Sequence, residues 1–105
     1  MIPFSSKTIR DFTNRGYWSN TTVDDLFRCA VMGGRGRLAI VDPPDKLAMT
    51  GVEPLRLNWL ELDDMVDRLS ARLMAVGLKK DDILAVQLPN CVELAVVYLA
   101  AARLG

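Results

Sequence analysis

Apolar positions divide the chain into alternating helical and extended stretches. From Leu62 they fall at spacings of three and four, through Met65, Val66, Leu69, Leu73 and Val76, while Asp63, Asp64, Asp67, Arg68 and Arg72 take the other faces. This periodicity predicts an amphipathic helix with one buried stripe. Asn58, three positions before Glu61, predicts a capping box at its start, and Gly77 predicts its end. Asp64 and Arg68 are spaced for a helical ion pair worth about 0.2–0.5 kcal/mol. Upstream, Leu26, Phe27, Ala30 and Val31 share one face behind a Thr22 cap. Asp24 and Asp25 complement the dipole of that helix, which is expected to stop at Gly33-Gly34.

Between these helices the pattern changes. Leu38 to Asp42 reads as a short buried strand stopped by Pro43-Pro44, and Leu55-Arg56-Leu57 alternates as a second strand. A hairpin joining the two through a long loop over 43–54 is expected. Ile83 to Leu88 is almost continuously apolar, as in a strand covered on both faces of a parallel sheet. Asn90 and Glu93 repeat the spacing of Asn58 and Glu61, so a second capping box is expected to open a helix over Cys91 to Leu104. That helix is apolar on nearly all sides, which predicts burial within a larger body. At the other end, Thr8 to Arg15 predicts a short surface helix closed by Gly16, with Tyr17 and Trp18 expected to pin this arm onto a domain face. Residues 1–22 are thus an N-terminal arm with a short helix, and residues 23–105 a partial subdomain. Strand, helix, strand, helix begins a βαβ pattern, and a further parallel strand is expected after Gly105. The fold class is α/β, incomplete at its C-terminal end.

Composition narrows the chemistry. Half of the 105 residues are hydrophobic, so a core is expected rather than disorder. Thirteen basic residues balance thirteen acidic ones without a long run of either sign, so no nucleic-acid or anionic-lipid footprint is present. There is no histidine, which excludes Ser-His-Asp and Cys-His arrangements within the chain. Cys29 and Cys91 are far apart and read as small apolar fillers rather than a disulfide or zinc site. The longest apolar stretch, Leu94 to Ala102, is short of the roughly 20 residues that span a bilayer. No apolar run follows a basic start at the N-terminus, and a cytoplasmic location is expected.

Two local motifs invite a functional reading. Gly33-Gly34-Arg35-Gly36-Arg37 suggests a phosphate loop, but such a loop needs a preceding strand, a following helix and a Lys-Ser/Thr pair. Here a helix precedes, a strand follows, and the pair is missing, so a flexible turn is expected. Asp63, Asp64 and Asp67 suggest metal ligation, yet a solvated helix face accounts for them without the convergent oxygen ligands that magnesium or calcium requires.

The ordered set of segments resembles a known family. A strand ending in Val41-Asp42 is followed by Leu57-Asn58-Trp59-Leu60-Glu61-Leu62, an amphipathic helix, the turn Gly77-Leu78-Lys79-Lys80-Asp81-Asp82, and Leu88-Pro89-Asn90. This is similar to the N-terminal region of the AMP-forming acyl-CoA synthetases and aryl-acid ligases, whose first core motif runs roughly Leu-Thr/Ser-Tyr-x-Glu-Leu. Asn58 stands in place of the hydroxyl residue and Trp59 in place of tyrosine. Asp81 stands where the family's turn carries glycine. Ala102-Arg103-Leu104-Gly105 resembles the opening of the second core motif. The segment Arg15-Gly16-Tyr17-Trp18 with Thr22 to Leu26 resembles two branches, the cyclohexanecarboxylate-type or medium-chain CoA ligases and the dihydroxybenzoate–AMP ligases.

The resemblance implies the start of the N-terminal domain of the adenylate-forming fold: β-hairpin, helix, strand, buried helix. It implies an enzyme that joins a carboxylic acid to a thiol, through an acyl-adenylate made from ATP with magnesium and then a thioester with coenzyme A. Fatty-acid metabolism is the expected setting, with loading of an aryl acid onto a carrier protein as the alternative. In that family the phosphate loop, the ribose and magnesium ligands and the catalytic lysine all lie beyond the stretch matched here. No catalytic, cofactor-binding or metal residue is therefore assigned; Asn58, Glu61, Asn90 and Glu93 are expected as caps, and Trp59 and Leu62 as packing residues. The expected partner is the remainder of the same enzyme, and the 105 residues alone are expected to be inactive and weakly folded. A rival expectation is a non-enzymatic module that dimerises through its apolar C-terminal helix.

Overall fold

The computed structural model describes residues 4–105. Among them the order is α1 (Ser6–Asn14), α2 (Val23–Gly34), β1 (Leu38–Val41), α3 (Lys46–Thr50), β2 (Arg56–Asn58), α4 (Trp59–Ala75) and α5 (Val92–Leu104). The sheet has two strands, with β1 and β2 antiparallel; Leu38 faces Asn58, Ile40 faces Leu57 and Val41 faces Arg56, and the register shifts between Leu38 and Ile40. The expected hairpin is present. The 43–54 connection, expected to be irregular, contains the single helical turn of α3.

Helix α4 begins as its sequence dictates. The Asn58 side chain accepts from the Glu61 amide at 2.9 Å, and the Glu61 carboxylate accepts from the Asn58 amide at 2.8 Å. Two further first-turn amides, of Trp59 and Leu60, donate to the carbonyls of Arg37 and Arg35. The four orphan donors of a helix start are thus largely satisfied by the cap and by the preceding turn. Thr22 caps α2 in the same reciprocal way with Asp25.

The core forms where three helices meet. Phe27 and Val31 of α2, Leu62 and Val66 of α4, and Val92, Val96 and Ala100 of α5 are buried together, with Leu57, Trp59, Leu69 and Leu73 packed against them. Trp59 and Leu62 are packing residues, as expected. The Trp59 indole lies so close to α2 that a Cβ on Gly34 would stand 2.0 Å from Trp59 Cδ1, so this helical position admits only glycine without rearrangement.

Several expectations are corrected. Ile83 to Leu88 forms no strand: these residues make no backbone–backbone hydrogen bond among the described residues, and Ile83, Val86 and Leu88 are exposed. The physical reason is pairing, since β1 and β2 satisfy each other and no other strand is available to receive this stretch. Asn90 does not cap α5. The cap position is Cys91, whose side chain makes no capping bond. Helix α2, by contrast, ends at Gly34 as expected, and the chain turns at Arg35, which takes φ 40°. Leu26 and Val76 lie off the buried faces, and Cys29 is exposed while Cys91 is buried. Helix α5 is buried along Val92, Val96 and Ala100 only; Tyr98 is 65% exposed. The ring contacts of Tyr17 and Trp18 stay within the arm, with Phe12 5.9 and 5.1 Å away and Phe4 5.2 Å from Trp18.

Asp81 adopts φ 68°, a left-handed conformation that favours glycine and that aspartate tolerates better than most residues. The Asp81 amide donates to the Gly105 carbonyl at 2.9 Å, tying this turn to the end of α5. The radius of gyration is 16.2 Å, larger than the ~13 Å of a compact globule of this length, and the described chain is elongated, 48 × 31 × 25 Å.

Candidate functional site

Two clusters of charged side chains organise the molecule, and both are built at element ends. The first is centred on Asp42, the residue that follows β1. Its Oδ2 accepts from Lys46 Nζ at 2.6 Å and from the Leu55 amide at 2.8 Å, and its Oδ1 accepts from the Val92 amide at 2.6 Å. Lys46 also donates to Glu93 Oε1 at 2.7 Å. Asp42 and Lys46 are shut off from solvent, with side chains 0% and 1% exposed, while Glu93 is partly exposed. The one-turn helix α3 makes this possible by placing Lys46 four residues after Asp42 with its stem covered. Burial pushes the Asp42 carboxyl up, but the Lys46 ammonium and the Leu55 and Val92 amides outweigh it and hold the group below its ordinary value. Burial likewise pushes Lys46 down, and Asp42 and Glu93 more than reverse this. Glu93 is held low, chiefly by Lys46, against its own burial.

The second cluster is centred on Arg103 in the last turn of α5. Its guanidinium donates to Asp24 Oδ1 at 2.8 Å, Asp63 Oδ1 at 2.9 Å and Asp67 Oδ1 at 2.5 Å, and it lies 5.5 Å from the centre of the Phe27 ring. One side chain thereby joins α2, α4 and α5. Burial lowers the Arg103 pKa, and the three carboxylates raise it further than burial lowers it. Asp24 is held below its ordinary value because Arg28 and Arg103 outweigh its desolvation. Asp67 lies on the solvated face expected for it and Asp63 is half-buried at its edge, and both also meet the Arg103 guanidinium of another helix. Asp64 is on the same exposed face, paired at 2.5 Å with Arg68.

These clusters decide what the described residues can hold. Three carboxylates do converge, but the position a cation would take among them is filled by the Arg103 guanidinium. Buried Asp42 and partly exposed Glu93 are bridged by the Lys46 ammonium. No group of three or more ligating side chains free to hold a metal occurs among the described residues. The glycine-rich turn does not fit a nucleotide phosphate. Its Arg35 and Arg37 amides donate to Val31 and Gly34, and its carbonyls face the first turn of α4. The turn joins a helix to a strand, the order on which the phosphate-loop reading fails. Neither the two carboxylate clusters nor the glycine-rich turn, among the described residues, fits magnesium or ATP phosphates. The arrangement supplies position: it fixes α5 against the hairpin at one end and against α2 and α4 at the other.

The sequence reading missed Asp42, Lys46 and Arg103 and gave Glu93 a capping role that it does not fill. A signal was present for Arg103, the only charged residue after Glu93 in an otherwise apolar helix. A lone charge in such a setting needs a partner from elsewhere in the fold. Beside the Asp42 cluster, Ile40, Val41, Leu94, Tyr98 and Leu99 line an open groove of about 800 Å³ between β1 and α5. No described helix is long and apolar enough to cross a membrane.

Residues 38–105 match the family described as AMP-binding enzyme, and the chain belongs to that family. It is 33% identical over 104 residues to the salicyl-AMP ligase / salicyl-S-ArCP synthetase of Mycobacterium tuberculosis, a match covering 99% of this chain and 18% of the relative. It is 29% identical over 103 residues to the 2,3-dihydroxybenzoate-AMP ligase of Bacillus subtilis, covering 98% of this chain and 17% of the relative. It is 23% identical over 104 residues to the medium-chain fatty-acid–CoA ligase of Escherichia coli, covering 99% and 17% respectively. The chain therefore spans less than a fifth of the length of these relatives. They are adenylate-forming ligases of both the aryl-acid and the acyl-CoA type.

Proposed function

We propose that these residues are the N-terminal portion of an ATP-dependent, AMP-forming acid–thiol ligase, and that they serve as scaffold rather than as catalytic machinery. The reading rests on the family match over 38–105 combined with a site in which each converging carboxylate contacts Lys46 or Arg103 of the same chain. In the whole enzyme a carboxylate oxygen would attack the α-phosphorus of ATP, releasing pyrophosphate, and a thiol would then displace AMP from the acyl-adenylate. ATP, magnesium and the thiol would be held by other parts of that enzyme. The apolar groove beside β1 and the unpaired Ile83–Leu88 stretch are where those parts would pack.

An aromatic acid is the favoured substrate class. Over nearly the whole chain the aryl-acid relatives reach 33% and 29% identity, against 23% for the medium-chain ligase. Transfer to coenzyme A, the acceptor expected from the sequence, has support from a naphthoate–CoA ligase of Streptomyces carzinostaticus, 27% identical over 104 residues. The reading frame beyond the codon for Gly105 provides the test. It is expected to encode a Thr-Ser-Gly-Thr-Thr-Gly-like loop. The protein it encodes should exchange pyrophosphate into ATP with salicylate or 2,3-dihydroxybenzoate, and the 105 residues alone should not. Exchange by the 105-residue chain would overturn the scaffold reading, and exchange only with aliphatic acids would overturn the aromatic assignment.

A further inference from the structure

Helix α5 starts without a cap of its own. Cys91 has the extended backbone of a cap residue, φ −137° and ψ 171°, yet its side chain accepts no amide. The Val92 amide, which would otherwise be an orphan buried among apolar side chains, donates instead to Asp42, 50 positions upstream. The same carboxylate accepts from the Leu55 amide as the chain enters β2, and the Asp42 amide donates to the Leu55 carbonyl at 2.9 Å. Asp42 therefore closes the mouth of the hairpin and caps a helix at once. A carboxylate has lone pairs enough to accept all three donors, including Lys46, without releasing any.

We propose that Asp42 is a shared latch: the first turn of α5 is ordered only while the β1–β2 hairpin is closed, and hairpin closure is strengthened in turn by α5. Coupling of this kind is reciprocal, because each contact fixes the carboxylate in the position the other requires. Two independent contacts that merely share a residue would show no such reciprocity. The latch also sets the mouth of the groove between β1 and α5, since Asp42 and Val92 stand on its two sides.

Hydrogen exchange on this chain, read residue by residue, tests the latch from both ends. Val92→Pro removes the amide donor together with part of a core side chain. Val92→Ala, which trims that side chain and keeps the amide, is therefore the control and should leave Leu55 exchanging more slowly than the proline variant does. Proline suits the first position of a helix, and the extended Cys91 suits the residue before proline. Exchange at the Leu55 and Asp42 amides is expected to quicken by about tenfold, as for loss of a bond to a charged acceptor, while Val66 to Leu69 in α4 keep their rates. Asp42→Asn is expected to quicken exchange at Glu93, Leu94 and Ala95. Adding Cys91→Ser, a local cap, should then restore these amides but not Leu55. Unchanged Leu55 exchange in Val92→Pro overturns the latch, as does a folded Asp42→Asn whose α5 turn is undisturbed or not rescued by the serine. If either single variant fails to fold, the other decides.

Discussion

Helices α4 and α5 pack against each other in the same core, yet they are started by opposite means. Helix α4 carries its own instructions: a reciprocal Asn58–Glu61 cap, an apolar stripe and a charged outer face all lie within a single stretch. Helix α5 has an apolar sequence, no cap side chain, and an anchor at each end supplied from elsewhere, Asp42 at its start and three aspartates around Arg103 at its finish. A helix of the first kind is specified by local sequence. One of the second kind is specified only once the rest of the fold exists, and its charged contacts carry information about where it must dock.

The contrast can be broken most severely at Asp42. Asp42→Ala removes the acceptor for two backbone amides and strands the buried Lys46 with a single partner, so a loss of roughly 3–5 kcal/mol is expected in denaturant unfolding. That is a large share of the ~5–15 kcal/mol available to a domain of this size. The same cluster fixes the pH window. Asp42 and Glu93 have folded pKa values below their unfolded values of 3.8 and 4.5, so their contribution is complete above those values and is lost as pH falls through the folded ones. Lys46 is raised above 10.5, so its contribution is complete below that value and is lost as pH rises through the folded one. A plateau of thermal stability from about pH 5 to about pH 10 is expected, and Lys46→Met should remove its alkaline edge. A midpoint that already declines between pH 6 and pH 8 would contradict this assignment.

The seat of α4 is the next most sensitive point. Gly34→Ala drives a methyl group into the Trp59 indole and should cost about 1–3 kcal/mol, with a change in tryptophan fluorescence reporting the displaced ring. The local cap should matter less than the remote one: Asn58→Ala is expected to cost about 1 kcal/mol and to fray only the first turn of α4. Asp67→Asn should change stability by less than about 1 kcal/mol, because Asp67 is exposed and Arg103 keeps Asp24 and Asp63. Equal losses in Asn58→Ala and Asp42→Ala would erase the distinction between the two helices.

This contrast also explains which features could be read in advance. The Thr22 cap, the Asn58 capping box, the buried stripe through Leu62 and Val66, and the β1–β2 hairpin depend on residues close in sequence or on a simple alternation. Periodicity and spacing therefore reveal them. Asp42, Lys46 and Arg103 escaped because their roles depend on residues 36 to 79 positions away. Asn90 misled for the same reason: its spacing to Glu93 satisfies the local rule, but the Glu93 carboxylate is drawn to Lys46 and the Val92 amide to Asp42. Ile83 to Leu88 has the composition of a strand, and composition cannot supply the neighbour that a strand requires.

That unaccompanied stretch has a practical consequence. Six residues with open amides and carbonyls, no charge and no proline offer a template on which identical molecules can stack edge to edge. Concentrated samples of these 105 residues should therefore drift toward fibrils rather than crystals, with thioflavin fluorescence rising over time. A single lysine placed at Val86 should hold the material in solution without touching the three-helix core.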